Sequence, residues 1–425
     1  TTTVGYLAGG GAGGASVMSG DNNTLVGREA GKLITSGTQN TSVGANALDA
    51  NTTASNNVAI GYASLTSNTT GATNTSVGAL SLQENTTASN NVAVGYLSLG
   101  ANTTGTNNVM VGTNAGDAIT TSNNNTGVGH DVLGANTSGD LNTAMGSTAL
   151  NTNTTGANNT GIGYAALTAN TTGSNHVAVG TNALAANTTG VQNTACGDNA
   201  LAANTEGNTN AGFGIGALDA NTTGSDNTAC GAYALSTATT ASNNTGVGKF
   251  ALFANTTGSE NVAVGMQSLD ANTTGTDNVA IGVNALGANT TASNNTAVGK
   301  NALKVNTTGG ELAAFGLSSL QANTTASFNT AFGSNTLVSC TTGASNTAVG
   351  RAALFSATTT SNNVAVGQNS LIALTTGTNH TGVGQEALSS MTTNNSCTAI
   401  GYQAGQSATG PFSVFVGSIA GHDNT

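Results

Sequence analysis

A glycine recurs every 17 residues through almost the whole chain. The 23 positions run from Gly27 to Gly401, and no insertion or deletion interrupts them. Such spacing is typical of solenoids, in which each repeat stacks on its neighbours. A 17-residue unit is too short for two helices, so it predicts one coil of a parallel β-solenoid, or β-roll. We expect an all-β chain of about 23 rungs, which at the usual strand spacing is a rod on the order of 110 Å long.

The repeats define the domain organisation. They occupy residues 23–408, and the segments 1–22 and 409–425 deviate from the period. The first segment has a Gly-rich stretch from Gly9 to Gly14, and in the second the pair Val416-Gly417 arrives one residue early. We expect both segments to be caps or junctions.

The composition excludes several classes of function. Charged residues make up 5% of the chain and the net charge is -11, which argues against nucleic acid and anionic lipid as partners. No stretch approaches 18 consecutive apolar residues, so membrane insertion is not expected. The cysteines have no CxxC spacing and histidines are scarce, so we assign no catalytic, metal or cofactor-binding residue. The start, Thr1 to Val4, has no initiator Met and no signal-peptide layout, which suggests a processed or excised chain.

Two apolar positions are predicted to form the core. The residue before the repeat Gly is apolar in every coil, and the residue four after it is Leu in 20 of 23 coils. In two of the coils that lack this Leu, Ile34 and Ile119 restore an apolar group three residues later. Small residues two before the Gly, such as Ala59, are predicted to face outward. The coils without Leu have Gly31, Gly116 and Gly405.

Two columns of Asn accompany the Gly. One lies seven residues after it, where other coils have Leu374 or Met391, so we predict an internal column whose amides bond one another. These Asn also form N-glycosylation sequons, which is the less favoured interpretation. The other column, four residues before the Gly in 19 of 23 coils, is predicted to be a turn position. Members of the internal column are Asn51, Asn68, Asn170, Asn187, Asn221 and Asn255.

A Thr stands eight residues after the Gly in all 23 coils. Strand alternation places it outward, beside small residues, and an invariant outward position suggests a contact between subunits. A homo-oligomer, most naturally a trimer, is the expected assembly. Members of this column include Thr52, Thr69, Thr171, Thr188, Thr222, Thr256 and Thr273.

The repeat unit resembles known fibre proteins. The segments Asn-Asn-Val-Ala-Val-Gly-x-x-Ser-Leu (Asn90 to Leu99) and Asn-Thr-Ala-Val-Gly-x-x-Ala-Leu (Asn295 to Leu303) carry the resemblance. They are similar to the head repeats of trimeric autotransporter adhesins, and more so to repeats in phage tail fibres and related bacterial fibre proteins. The resemblance implies trimeric β-rolls, and in the fibre proteins a chaperone domain that is cleaved off after trimerisation.

Together these observations predict a non-catalytic structural or adhesive segment of an extracellular fibre, either a cell-surface filament or a virion tail fibre. Expected partners are copies of the chain itself, as a homotrimer or joined end to end, and a glycan surface of a host cell or the environment. The candidate contact residues are Tyr62, Tyr96, Tyr164 and Tyr402, which follow the repeat Gly.

Two alternative functions remain open. The Thr column could bind ice or glycan, although ice binding is disfavoured because adjacent Thr52 and Thr53 should point to opposite faces. A polysaccharide-degrading enzyme could use acids in a shared register, of which Glu260 and Asp277 lie on neighbouring rungs. A solvated acidic stripe explains them better. The four acids of that register are Asp226, Glu260, Asp277 and Glu311.

Histidine and cysteine have structural explanations in this pattern. His176 and His380 replace Asn at the predicted turn position, too many rungs apart to share a metal. Cys196 and Cys230 precede the repeat Gly and are predicted to be small core residues.

Overall fold

A computed structural model describes residues 1–10 and 18–422, and this part of the chain is all-β with no helix. The predicted fold class is therefore confirmed. Across the same residues, no helix is long and apolar enough to cross a membrane. Of the Gly-rich stretch near the N-terminus, only Gly9 and Gly10 lie within the described residues.

The described chain forms two compact units, Thr1–Asn210 and Ala211–Thr425. The first unit contains β1 (Thr2–Val4), β2 (Thr24–Val26), β3 (Thr41–Val43), β4 (Val58–Ile60), β5 (Thr75–Val77), β6 (Val92–Val94), β7 (Val109–Val111), β8 (Thr126–Val128), β9 (Thr143–Met145), β10 (Thr160–Ile162), β11 (Val177–Val179) and β12 (Thr194–Cys196). The second contains β13 (Ala211–Phe213), β14 (Thr228–Cys230), β15 (Thr245–Val247), β16 (Val262–Val264), β17 (Val279–Ile281), β18 (Thr296–Val298), β19 (Ala313–Phe315), β20 (Thr330–Phe332), β21 (Thr347–Val349), β22 (Val364–Val366), β23 (Thr381–Val383), β24 (Thr398–Ile400) and β25 (Val414–Val416).

Within each unit, every strand pairs in parallel with the strands of the preceding and following coils. Equivalent residues lie side by side, as in Val58↔Thr75 and Val262↔Val279. The end strands β1 and β25 also pair with their neighbours, β2 and β24. The ladder therefore reaches into both end segments, and their role as caps or junctions stays a prediction.

The strand register is opposite to the predicted one. In β2 to β25 the middle residue is buried and both flanking residues are at least partly exposed. The small residue two before the Gly, such as Ala59, thus faces the core, while the apolar residue next to the Gly, such as Ile60, faces outward. The prediction was wrong because it assigned the inward side by apolarity alone. The interior is too narrow for a large side chain at both this position and the Leu position.

The Leu column fills the interior opposite the strand. Leu150, for example, is buried, and its Cδ1 lies 3.5 Å from where a Cβ on Gly161 would stand. In the coils with Gly31 and Gly116 in place of Leu, the middle residue of the strand is larger, and at Gly405 Phe415 of the next strand takes up the space. Met110 does so at Gly116, together with Ile119, whose Cδ1 would lie 2.9 Å from an added Cβ. Core volume is therefore conserved coil by coil.

The repeat Gly is required for two independent reasons. Its φ lies in the positive region, as at Gly163 (φ 137), where an L side chain is strained. In addition, a Cβ on Gly163 would lie 2.4 Å from the carbonyl oxygen of Gly180, in the next coil. The coils stack so closely at this corner that no side chain fits between them.

Two glycines of one coil provide a test of this explanation. We expect Gly163→Ala to lower the free energy of unfolding by about 3 kcal/mol or more, because it adds both strain and a backbone clash. We expect Gly161→Ala to be neutral or stabilising by about 0.5–1 kcal/mol, because its Cβ would meet its nearest neighbours at 3.4 Å or more. Denaturant unfolding of the two variants measures the difference. Similar losses in both would contradict the close approach at the corner.

Candidate functional site

The Asn column seven residues after the Gly lies inside, as the sequence pattern predicts. All six predicted members are fully buried. Each side chain donates to the backbone carbonyl three residues ahead, as from Asn170 Nδ2 to Gly173 O at 2.9 Å. The amides also bond one another between coils, as from Asn187 Nδ2 to Asn170 Oδ1 at 2.8 Å. An N-linked glycan has no room at these positions in the folded chain.

The second Asn column is also internal, and its prediction as a turn position was wrong. Asn40 is buried, and its Oδ1 accepts the backbone N–H of Asn57 at 3.0 Å. Its Nδ2 donates to the carbonyl of Ala54 at 3.0 Å, which also accepts from Asn51 Nδ2 at 3.1 Å. The turn residue with positive φ is the preceding one, as at Gln39. The two Asn columns thus meet at one carbonyl in coils that have both residues.

The inner column is interrupted where apolar residues replace Asn. Asn102 and Asn323 each have a buried Oδ1 without a hydrogen-bond partner. The next coils have Ile119 and Cys340 at this position, which supply no amide donor. Burying an unpaired carbonyl is costly, so the column favours continuity.

His176 reproduces both hydrogen bonds of the Asn that it replaces. It is fully buried, its Nδ1 accepts the backbone N–H of Asn193 at 3.2 Å, and its Nε2 lies 2.7 Å from Gly190 O. The neutral tautomer with hydrogen on Nε2 satisfies both contacts. Burial lowers the pKa of His176 from 6.5 to about 4. A proton on Nδ1 would face the N–H of Asn193, so the charged form does not fit.

This histidine should make stability depend on pH. The unfolded chain binds the proton near pH 6.5 and the folded chain only near pH 4, so stability is greatest above 6.5 and falls as the pH drops between these values. The loss amounts to about 3 kcal/mol below the folded pKa. His176→Asn restores the common residue and should remove this loss. Unfolding midpoints of both proteins at neutral and acidic pH measure it, and a difference that does not change with pH would contradict the mechanism.

The Thr column lies on the outside and is partly exposed. Each predicted member donates its hydroxyl to the backbone carbonyl of the Thr in the next coil. The bonds measure 3.3 Å from Thr52 to Thr69 and 3.0 Å from Thr171 to Thr188. These bonds give a reason for Thr in every coil that needs no partner chain. The predicted subunit contact along this column stays a prediction.

Adjacent threonines do not point to opposite faces, so the argument against ice binding was wrong. Thr52 is partly exposed and Thr53 is exposed, whereas Ala54 is buried. The reason is that this segment is a bend and not a β-strand, so alternation does not apply. Two columns of outward hydroxyl-bearing residues therefore run side by side.

The outer strand face, formed by the first and third residues of each strand, carries an apolar column. The third residue is apolar in all 23 coils although it is outward, and Ile60 and Phe332 are 38% and 55% exposed. Cys196 and Cys230 belong to this column and are exposed, so their prediction as core residues was wrong. The error has the same cause as the reversed strand register.

The four candidate tyrosines are all exposed. Tyr62, Tyr96 and Tyr164 expose 57%, 49% and 60% of their surface and lie in the first unit, while Tyr402 lies in the second. Three of the candidates therefore share one column of the first unit, and Tyr402 has the equivalent position in a coil of the second unit.

The acids in the shared register lie at exposed turn positions. Glu260 and Asp277 have positive φ values of 60° and 59° and sit on neighbouring coils. Asp277 Oδ2 accepts a hydrogen bond from Thr276 Oγ1 at 2.8 Å. Within the described residues, no group of three or more His, Cys, Asp or Glu could hold a metal ion.

One surface cluster was missed from the sequence. In the second unit, the rings of Tyr233 and Phe250 stack at 5.7 Å, and Phe253 meets Phe250 edge-on at 5.4 Å. Lys249 Nζ lies 5.0 Å from the Phe250 ring centroid. Aligning successive coils at the second residue after the Gly would have revealed the pair of stacked rings.

The fold and these columns define a β-solenoid repeat protein. No model of a known protein family and no curated protein matches the chain.

Proposed function

We propose that the chain is a non-catalytic structural and adhesive segment of an extracellular or virion fibre, and that it assembles with copies of itself. The single observation that carries this proposal is the outer strand face, whose third residue is apolar in all 23 coils although it is outward, and whose first residue is Thr, Val or Ala. Contiguous apolar surface on a soluble protein marks an interaction site. The column has one apolar residue per coil, so a matching partner must repeat its contacts at the same spacing. Another copy of this chain has that spacing.

The size of the outer strand face is adequate for a stable contact. In the first unit, strands β2 to β12 present two outward side chains each, or 22 in total. A standard protein interface uses roughly 20–30 residues on each side. The residues are mainly Val, Ile and Thr, whose branched side chains pack well on a pleated surface. A homotrimer is the assembly we favour.

The outer strand face is a better candidate interface than the Thr column. Each Thr hydroxyl already bonds the next coil, so its invariance has a cause within the chain. The apolar residues next to the Gly also contact one another along the chain, as Phe315 does Phe332 at 5.1 Å, but this leaves Phe332 55% exposed. The regular ladders inside each unit would give the fibre its stiffness and leave few loops for proteases.

Matched lysine substitutions in two coils distinguish the two surfaces. We expect the double variant Ile60→Lys and Ile162→Lys to dissociate the oligomer, because charges would be buried at its interface. The control, Thr69→Lys and Thr171→Lys in the same coils, should keep the oligomer with a slightly lower melting temperature. Light scattering gives the mass of each. Dissociation by the Thr pair alone would move the interface to the Thr column, and a monomeric parent protein would refute self-assembly.

The native cysteines provide a second readout of the same contact. Cys196 and Cys230 lie on the outer strand face, whereas Cys340 and Cys397 are buried. Burial also raises the pKa of the Cys340 thiol to about 11, which makes it unreactive. Mild oxidation should therefore join chains through Cys196 or Cys230, and Cys196→Ser with Cys230→Ser should abolish the covalent species on denaturing gels.

Ice binding is a second candidate function, favoured by the paired outward columns beginning at Thr52 and Thr53. The second residue of the pair is Thr in 19 of 23 coils. If these columns bind ice, the protein should show thermal hysteresis that is lost in the triple variant Thr155→Lys, Thr172→Lys and Thr189→Lys. A control with lysines at Thr168, Ala185 and Ala202, in another outward column, should retain it. Absence of hysteresis in the parent protein would exclude this function.

A further inference from the structure

We infer that the first unit carries a binding track for an extended β-1,4-linked polysaccharide, formed by ring side chains that recur at every second coil. The track occupies the residue directly after the repeat Gly. Along nine successive coils, large rings alternate with small residues at this position, in the order Ala45, Tyr62, Ala79, Tyr96, Thr113, His130, Ser147, Tyr164 and Thr181. This inference goes beyond the proposed fibre role and does not depend on self-assembly.

The coil stack sets the spacing of the rings. Strands β4 to β10 pair without a bulge, so Tyr62, Tyr96, His130 and Tyr164 are separated by two coils each. At about 4.8 Å per coil, neighbouring rings are about 10 Å apart. This distance is close to two sugar units of an extended β-1,4-linked chain, in which alternate sugars turn over and every second sugar presents the same face.

The rings are exposed and their backbone is held rigidly. The three tyrosines are each about half exposed or more, and the His130 side chain is 60% exposed. The carbonyl of Tyr62 accepts from Leu80 N at 3.0 Å, and that of Tyr96 from Asn114 N at 2.9 Å. His130 Nδ1 lies 3.0 Å from Asp131 Oδ2, which orients the imidazole. A rigid array loses little entropy when it binds a ligand.

The chemistry of the track suits a sugar polymer. Tyrosine offers a flat apolar ring and a polar hydroxyl, which match the C–H face and the hydroxyl groups of a pyranose. Small residues between the rings leave room for the turned-over sugars, and Thr113 and Ser147 add hydroxyls there. The net charge of -11 disfavours nucleic acid, and an extended peptide advances only about 7 Å per two residues. A polyproline helix, with a turn of about 9 Å, is the competing occupant.

Binding to insoluble cellulose and chitin, and calorimetry with their soluble hexasaccharides, test the track. Tyr62→Ala and Tyr96→Ala should each weaken binding about tenfold, which corresponds to the loss of about 1.4 kcal/mol. Tyr402→Ala is the matched control and should bind like the parent, because the second unit has no ring at this spacing beside it. Binding to either polymer supports the track, and the one preferred identifies the sugar.

Deletion of a whole coil tests the spacing itself. Removal of residues 63–79 joins Tyr62 to Leu80 and brings Tyr62 and Tyr96 onto adjacent coils, while every ring is retained. It should weaken binding about as much as Tyr62→Ala. Removal of residues 182–198, beyond the track, joins Thr181 to Asn199 and should leave binding unchanged. Three outcomes would overturn the inference: binding to neither polymer, binding that is insensitive to these changes, and binding to a proline-rich peptide in their place. Melting curves verify that each variant is folded.

Discussion

The hydrogen bonds that Asn side chains make between coils are the interaction on which the rest of the structure depends. In coils with both Asn, one carbonyl accepts from two buried amides, as Ala54 O does from Asn40 and Asn51. Backbone pairing between coils continues outside the three-residue strands, as from Leu48 N to Ser64 O and from Ala50 N to Thr66 O, both at 3.0 Å. The Asn ladders satisfy groups that this pairing leaves, such as the N–H of Asn57 and the carbonyl of Ala54, which would otherwise be buried without partners.

This dependence explains why the period admits no insertion. An amide reaches the next coil only if the equivalent residue lies directly above it, and a single added residue would misalign both columns with the corner Gly. The corner is equally strict, because Gly163 and its equivalents approach the next backbone too closely for a Cβ. Histidine is accepted at His176 since its two ring nitrogens reproduce the acceptor and the donor of Asn.

Because most buried polar groups are hydrogen-bonded within the chain, residues on the outer surface can differ between coils and serve different functions. The third residue of the outer strand face is apolar in every coil, which favours assembly with a regular partner. The residue after the Gly varies, and in the first unit its rings follow a two-coil period. In such a solenoid the proposed assembly surface and the proposed polysaccharide track are separate. The residue after the Gly can change without disturbing the Asn ladders or the outer strand face.

Much of the fold was determined by the sequence alone, because a 17-residue period without gaps permits little besides a stack of coils. Periodicity also identified the inner Asn column, since Leu374 and Met391 replace Asn there. Only the tertiary structure decided which side of the strand faces the core. Both sides hold apolar or small residues, and the choice of Ala59 over Ile60 depends on how much room the Leu column leaves. It also decided that Thr52 and Thr53 both lie outside, because the course of a bend depends on the coils stacked against it and not on local alternation.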